Sequence, residues 1–138
     1  MTAKEYLNQY SEALRREQHL RREYEEEQIL IDAIKSKSDL DGMPHGSGTR
    51  RIVEEKAIRL SSKWQKWKEA EIESVQLRQK IFETICSIDG LERDILVARY
   101  IERAKWRDIP DAVHASYPTV IRHHRIALDM VEARIQEE

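Results

Sequence analysis

Arg122, His123, His124 and Arg125 form one run of four, and Ser116, Tyr117, Pro118, Thr119 and Ile121 stand just ahead of it. The chemistry these types offer is recognition rather than bond breaking. An arginine fork pairs with a guanine edge or holds a phosphate, and short hydroxyl side chains bond backbone phosphates. Imidazoles add positive charge below about pH 6.5. Val120, Ala127 and Val131 recur at intervals of seven and four, which places them on one side of a helix, while Thr119, Arg122 and Arg125 fall on other sides. Such a helix is suited to lying in a groove of double-stranded DNA. The candidate contacts are Arg107, Ser116, Tyr117, Thr119, Ile121, Arg122, His124 and Arg125. His123 occupies a position between Val120 and Ala127 where an aliphatic side chain would fit, so it needs a partner or must tilt outward.

Other chemistries are less well served. Adjacent histidines on a helix point about 100° apart, and neither His123 nor His124 has a second His or Cys four residues on, so no metal site is expected. Cys86 is the single cysteine and has no catalytic motif around it. Between Ile85 and Ile88, it reads as a small buried residue. Gly46-Ser47-Gly48 belongs to a link, not to a strand-to-helix turn. An enzyme is not expected, nor a cofactor. Trp64 and Trp67, with Lys63, Lys66 and Lys68, resemble a surface for single-stranded nucleic acid, but tryptophans three apart on a helix more readily pack a helix pair.

All helical elements are expected around this run, with no alternating β pattern. Thr2 and Glu5 have the spacing of a capping box, and no helix breaker follows before Ser38, so one long helix starts at once. Tyr10, Leu14 and Tyr24 suggest an apolar stripe that Glu17 and Arg21 interrupt. The glycines and proline of Asp41-Gly42-Met43-Pro44-His45-Gly46-Ser47-Gly48 stop that helix, within a connecting loop spanning about 38–49. A second long helix follows over 49–87, with Val53, Ala57, Leu60, Trp64 and Trp67 on its buried edge. The fold class is all-α: a coiled-coil-like N-terminal helical hairpin over 1–88, then a C-terminal three-helix domain over 89–138. In that domain Asp89 caps a helix over 91–103, whose buried side is Ile95, Leu96, Ala98 and Tyr100. A second helix spans 106–113 and a third 117–136. Pro110 requires the middle helix to be short, starting from Asp108, or kinked.

Composition limits the remaining possibilities. The chain has 138 residues, 36% of them charged, and a formal net charge of -2. Its mean hydropathy of -0.74 implies a thin core. Acid gathers at Glu23, Glu25, Glu26 and Glu27, whereas Arg99, Arg103, Lys105, Arg107, Arg122 and Arg125 make the stretch between 99 and 125 locally basic. Weak, salt-sensitive DNA binding by a single copy is the expectation. No apolar run approaches the roughly 20 residues that cross a bilayer, and Met1-Thr2-Ala3-Lys4-Glu5 has no signal-peptide character, so a cytoplasmic location is expected and no membrane partner.

The opening Met1 to Leu7, the string Gly42-Met43-Pro44-His45-Gly46-Ser47-Gly48 and the block from Leu91 to Leu128 resemble small phage and prophage late-gene regulators of the ArpU and RinA type. The terminal block is also similar to region four of bacterial sigma factors, with Ser116 at the turn and Val120, Ala127 and Leu128 as the buried aliphatics. The resemblance implies a helix-turn-helix that binds double-stranded DNA, with host RNA polymerase and a second copy of the chain as partners, and activation of late genes in a bacterial host cell. Tyr117, Pro118 and Ile121 depart from the basic or polar groups of that pattern, and Pro110 replaces a small residue. An apolar face of this kind also fits an adaptor that docks RNA polymerase or a phage protein without reading DNA.

Overall fold

The computed structural model describes residues 1–40 and 47–137, with side chains over 1–37 and 50–137. Its elements are α1 (Ala3–Leu40), α2 (Ser47–Cys86), α3 (Leu91–Leu96), a π-helical segment (Val97–Ile101), α4 (Ile109–Val113) and α5 (Tyr117–Glu137). The described residues include no strand. Most of the expected break over 41–48, including Met43-Pro44-His45, lies outside them. No helix among them is long and apolar enough to cross a membrane.

The chain forms two compact units, Met1–Ala13 with Glu73–Glu138 and Leu14–Ile72. The first unit thus gathers the start of α1 and the end of α2 with everything beyond the Asp89-Gly90 junction. α1 starts as its capping box dictates: the Glu5 N–H donates to Thr2 Oγ1 at 3.2 Å, and the Thr2 N–H donates to Glu5 Oε2 at 3.0 Å. Tyr6 and Leu7 are then buried with Ile81, Ile85, Ile88, Leu96, Tyr100, Ile101, Ala127 and Val131. The Tyr6 hydroxyl is satisfied by Thr84 Oγ1 at 2.8 Å. A second cluster joins Ile95, Ala98, Ile109 and Val120, with Leu91, Trp106 and Val113 against it. α3 and the π-helical segment therefore present apolar side chains to both clusters, Ile95 and Ala98 to one and Leu96 and Tyr100 to the other.

Several local features differ from the expected ones. The helix beginning at Leu91 leaves α geometry after Leu96, and the Glu102 N–H reaches back five residues to the Val97 carbonyl at 2.9 Å. Arg103 then adopts φ 59, which ends the helix before the expected position. Asp89 does not cap α3. Gly90 holds the cap position at φ 83, its carbonyl accepting from the Asp94 N–H, and this leaves Asp89 one residue too early, ion-paired at 3.8 Å to Arg93. α4 has five residues with Pro110 in its first turn, the arrangement in which proline sacrifices no hydrogen bond. His114 closes it in the left-handed region at φ 57, and the Ala115 N–H donates to the Pro110 carbonyl at 3.0 Å. Cys86 is exposed rather than buried, because Ile85 and Ile88 take the inward positions at the end of α2.

In the second unit, Trp67 Nε1–H donates to Glu17 Oε1 at 2.7 Å, and Tyr24 lies 5.4 Å from the Trp67 ring. Glu27 is buried beside Lys56 and Lys63, at 3.8 and 3.6 Å. Residue 17 meets 67 while 27 meets 56 and 63, so the two segments run side by side in opposite senses. Trp67 packs inward as expected, but Trp64 is 46% exposed and Ala57 is exposed too. Lys68 covers both indole rings, at 4.2 Å from Trp67 and 5.8 Å from Trp64.

The junction gives a paired test. Gly90→Ala forces a side chain into a conformation that L residues avoid and should lower unfolding stability by about 1–3 kcal/mol. Asp89→Ala should change it by less than about 0.5 kcal/mol, since only an exposed ion pair is lost. Urea denaturation followed by circular dichroism measures both.

Candidate nucleic-acid interface

α5 owes its orientation to a continuous inner face. Val120, Ala127 and Val131 are fully buried, and Ile135 and Leu128 pack beside them. Arg122 is two residues from Val120 and Arg125 two from Ala127, so each lies about 160° round the helix from a core position. Both are exposed, and neither is tied to a carboxylate among the described residues. The outer flank of α5 is thus open to solvent, with its arginines unengaged.

The helix start is built by Ser116 and Thr119. Ser116 sits just before Tyr117 and its carbonyl accepts from the Val120 N–H at 2.9 Å, while its hydroxyl is 2.8 Å from Thr119 Oγ1. These two hydroxyls are therefore paired with each other. Tyr117 is 53% exposed and Ile121 37%. Arg107 is exposed in the turn ahead of α4. Of the eight expected contacts, Ile121, Arg122 and Arg125 are exposed along α5, with Tyr117 exposed in its first turn and Ser116 and Thr119 at its beginning.

His124 is placed differently. Its ring turns inward, with Nε2 2.8 Å from the Tyr100 hydroxyl and its plane edge-on to Trp106 at 4.5 Å. Burial, helped by the positive charges of Lys4 and Arg99, lowers its pKa to about 4. The imidazole is neutral at physiological pH, so it supplies none of the charge expected of it below pH 6.5. Tyr100 is shifted upward by the same burial and keeps its proton. His123 finds the partner its position demanded: Nδ1–H donates to Glu92 Oε1 at 2.7 Å. That bond, with a backbone hydrogen bond, holds the Glu92 carboxyl below the usual carboxylate range.

Two consecutive side chains of α5 are thus fastened to the continuous helical stretch over 91–101, His123 to Glu92 in α3 and His124 to Tyr100 in the π-helical segment. Trp106 is held in turn by Arg99, whose guanidinium lies 4.9 Å from the ring and donates to the Ala104 carbonyl at 2.9 Å. Arg99 is therefore a structural cation, not part of the open flank. Glu92, Arg99, Tyr100 and Trp106 were not anticipated as positioning residues. The misfit of His123 among aliphatic positions was the one sequence signal that an acceptor had to lie nearby.

Among the described residues, no group of three or more His, Cys, Asp or Glu side chains is placed to hold a metal ion. Compared with protein-family models, curated proteins and solved structures, the chain matches none. The open flank of α5 and its fastening therefore rest on this chain's own geometry.

The buried imidazole makes a pH prediction. Because its pKa is depressed on folding, the unfolded chain binds a proton there that the folded chain does not, between about pH 6.5 and 4. Its contribution to stability is complete above that window and is lost as the pH falls through it. His124→Gln keeps a hydrogen-bonding group but cannot titrate, so the fall in thermal midpoint on acidification should be shallower by up to one proton's worth than in the unaltered chain. Equal slopes for the two proteins would remove His124 as the cause.

Proposed function

We propose that this protein is a transcriptional regulator of the phage type that binds double-stranded DNA through a helix-turn-helix at 89–138, with α5 as the reading helix. The single observation that carries the proposal is the pair Arg122 and Arg125, exposed and without a carboxylate partner among the described residues, on the flank of α5 opposite its buried Val120, Ala127 and Val131. An α-helix fits the major groove, and two arginines on its outer side supply phosphate or guanine contacts. The tight connection from α4 through His114 to Ser116 suits a helix-turn-helix, and the likeness to region four of sigma factors favours activation with host RNA polymerase.

In this reading the two long helices form a helical hairpin that pairs with a second copy. Support comes from the large apolar side chains left exposed in the second unit, Ile29, Leu30, Ile52, Ile58, Trp64 and Ile72. Two linked readers gain effective concentration on repeated half-sites, which offsets the weakness of one modestly basic domain. An adaptor role is favoured instead by Ile126 and Met130, 39% and 40% exposed on the same helix. In that case α5 docks a protein such as RNA polymerase.

The two readings separate by charge and by hydrophobicity. At low salt, micromolar protein should retard duplex DNA carrying its own upstream and late promoters. Arg122→Ala with Arg125→Ala should abolish that retention, or flatten the dependence of log affinity on log salt by about two contacts' worth. RNA polymerase capture should survive the change. If neither the unaltered chain nor the double variant retards DNA while Ile126→Asp abolishes polymerase capture, the adaptor reading holds.

A further inference from the structure

The outer flank of α5 does not present cations alone. Tyr117, Ile121 and Arg125 follow one another at intervals of four and so lie along one line of the helix surface, with Arg122 beside the last two. Ile121 belongs to neither buried cluster. Its neighbours on the line are an exposed aromatic ring on one side and an exposed guanidinium on the other. An aliphatic side chain has no donor or acceptor to offer a base edge. What it can gain in a groove is contact with apolar surface, and the major-groove edge of DNA offers one such group, the 5-methyl of thymine.

Resting on the DNA-reading proposal above, we infer that Ile121 recognises the methyl group of a thymine within about two base pairs of a guanine contacted by Arg122 or Arg125. Residues four apart on a helix are separated by about 6 Å along its axis, and base pairs by about 3.4 Å. A side chain one turn from Arg125 therefore meets the groove roughly two base steps away, and one adjacent to Arg122 meets it closer still. The specificity this gives is a short run combining guanine with thymine. Cytosine in place of the thymine would leave Ile121 against a bare ring edge.

The test starts from a randomised duplex library enriched on the full-length chain. Each thymine of the enriched site is then replaced by uracil, which removes the methyl group and leaves base pairing intact. At one position within two base pairs of a guanine, the replacement should weaken binding about fourfold, the factor for one methyl-sized group returned to water. Ile121→Ser, checked for helical content, should bind the thymine and uracil sites equally. An enriched site at which no uracil replacement changes the Kd overturns the inference and leaves DNA reading standing, as does an Ile121→Ser protein that still separates thymine from uracil. A library from which no duplex is retained overturns DNA reading itself, and this inference with it.

Discussion

Everything proposed for this protein depends on how α5 is seated against α3 and the π-helical segment. Burying Val120 and Val131 stabilises the seat by about 1.5–3 kcal/mol each, more than the two side-chain bonds at about 1 kcal/mol apiece. Apolar contact, however, is non-directional. The bonds from His123 to Glu92 and from His124 to Tyr100 are directional, and they act on neighbouring residues whose side chains diverge by about 100°. Together they oppose rotation of α5 about its axis in either sense. Apolar burial supplies the energy, and the paired histidines select the face that remains outside.

Much of this was legible in the sequence because it depends on local spacing. The capping box at Thr2 and Glu5, the inner face of α5 and the short helix imposed by Pro110 each follow from residues within a turn or two of one another. What could not be read depends on partners far along the chain. Tyr100 and His124 are 24 residues apart, and nothing in either neighbourhood marks them as a pair. A histidine beside arginines reads as surface charge until burial removes its proton. The π-helical segment has no residue signature, and Cys86 failed as a core residue because its isoleucine neighbours occupy the inward directions.

The same contrast holds in the second unit. Glu17 looks like an interruption of an apolar stripe, yet it is only 9% exposed and accepts the Trp67 indole N–H. A carboxylate withdrawn from water is costly unless it receives such a bond, and a charge-assisted one contributes about 1.5–3 kcal/mol. Glu27, 6% exposed, is compensated by Lys56 and Lys63 instead. Polar groups thus fix which residues of the two segments face each other, a task that a thin apolar seam performs poorly.

The central claim is that the outer flank of α5 meets DNA while its inner face stays closed. Backbone and side-chain chemical shifts of the full chain, followed as duplex DNA is added at low salt, address it residue by residue. The account predicts that changes concentrate at Tyr117, Ile121, Arg122 and Arg125 and spare Val120, His124, Ala127 and Val131. Shifts spread over α2 with α5 untouched, or no shifts at all at saturating DNA, would contradict it.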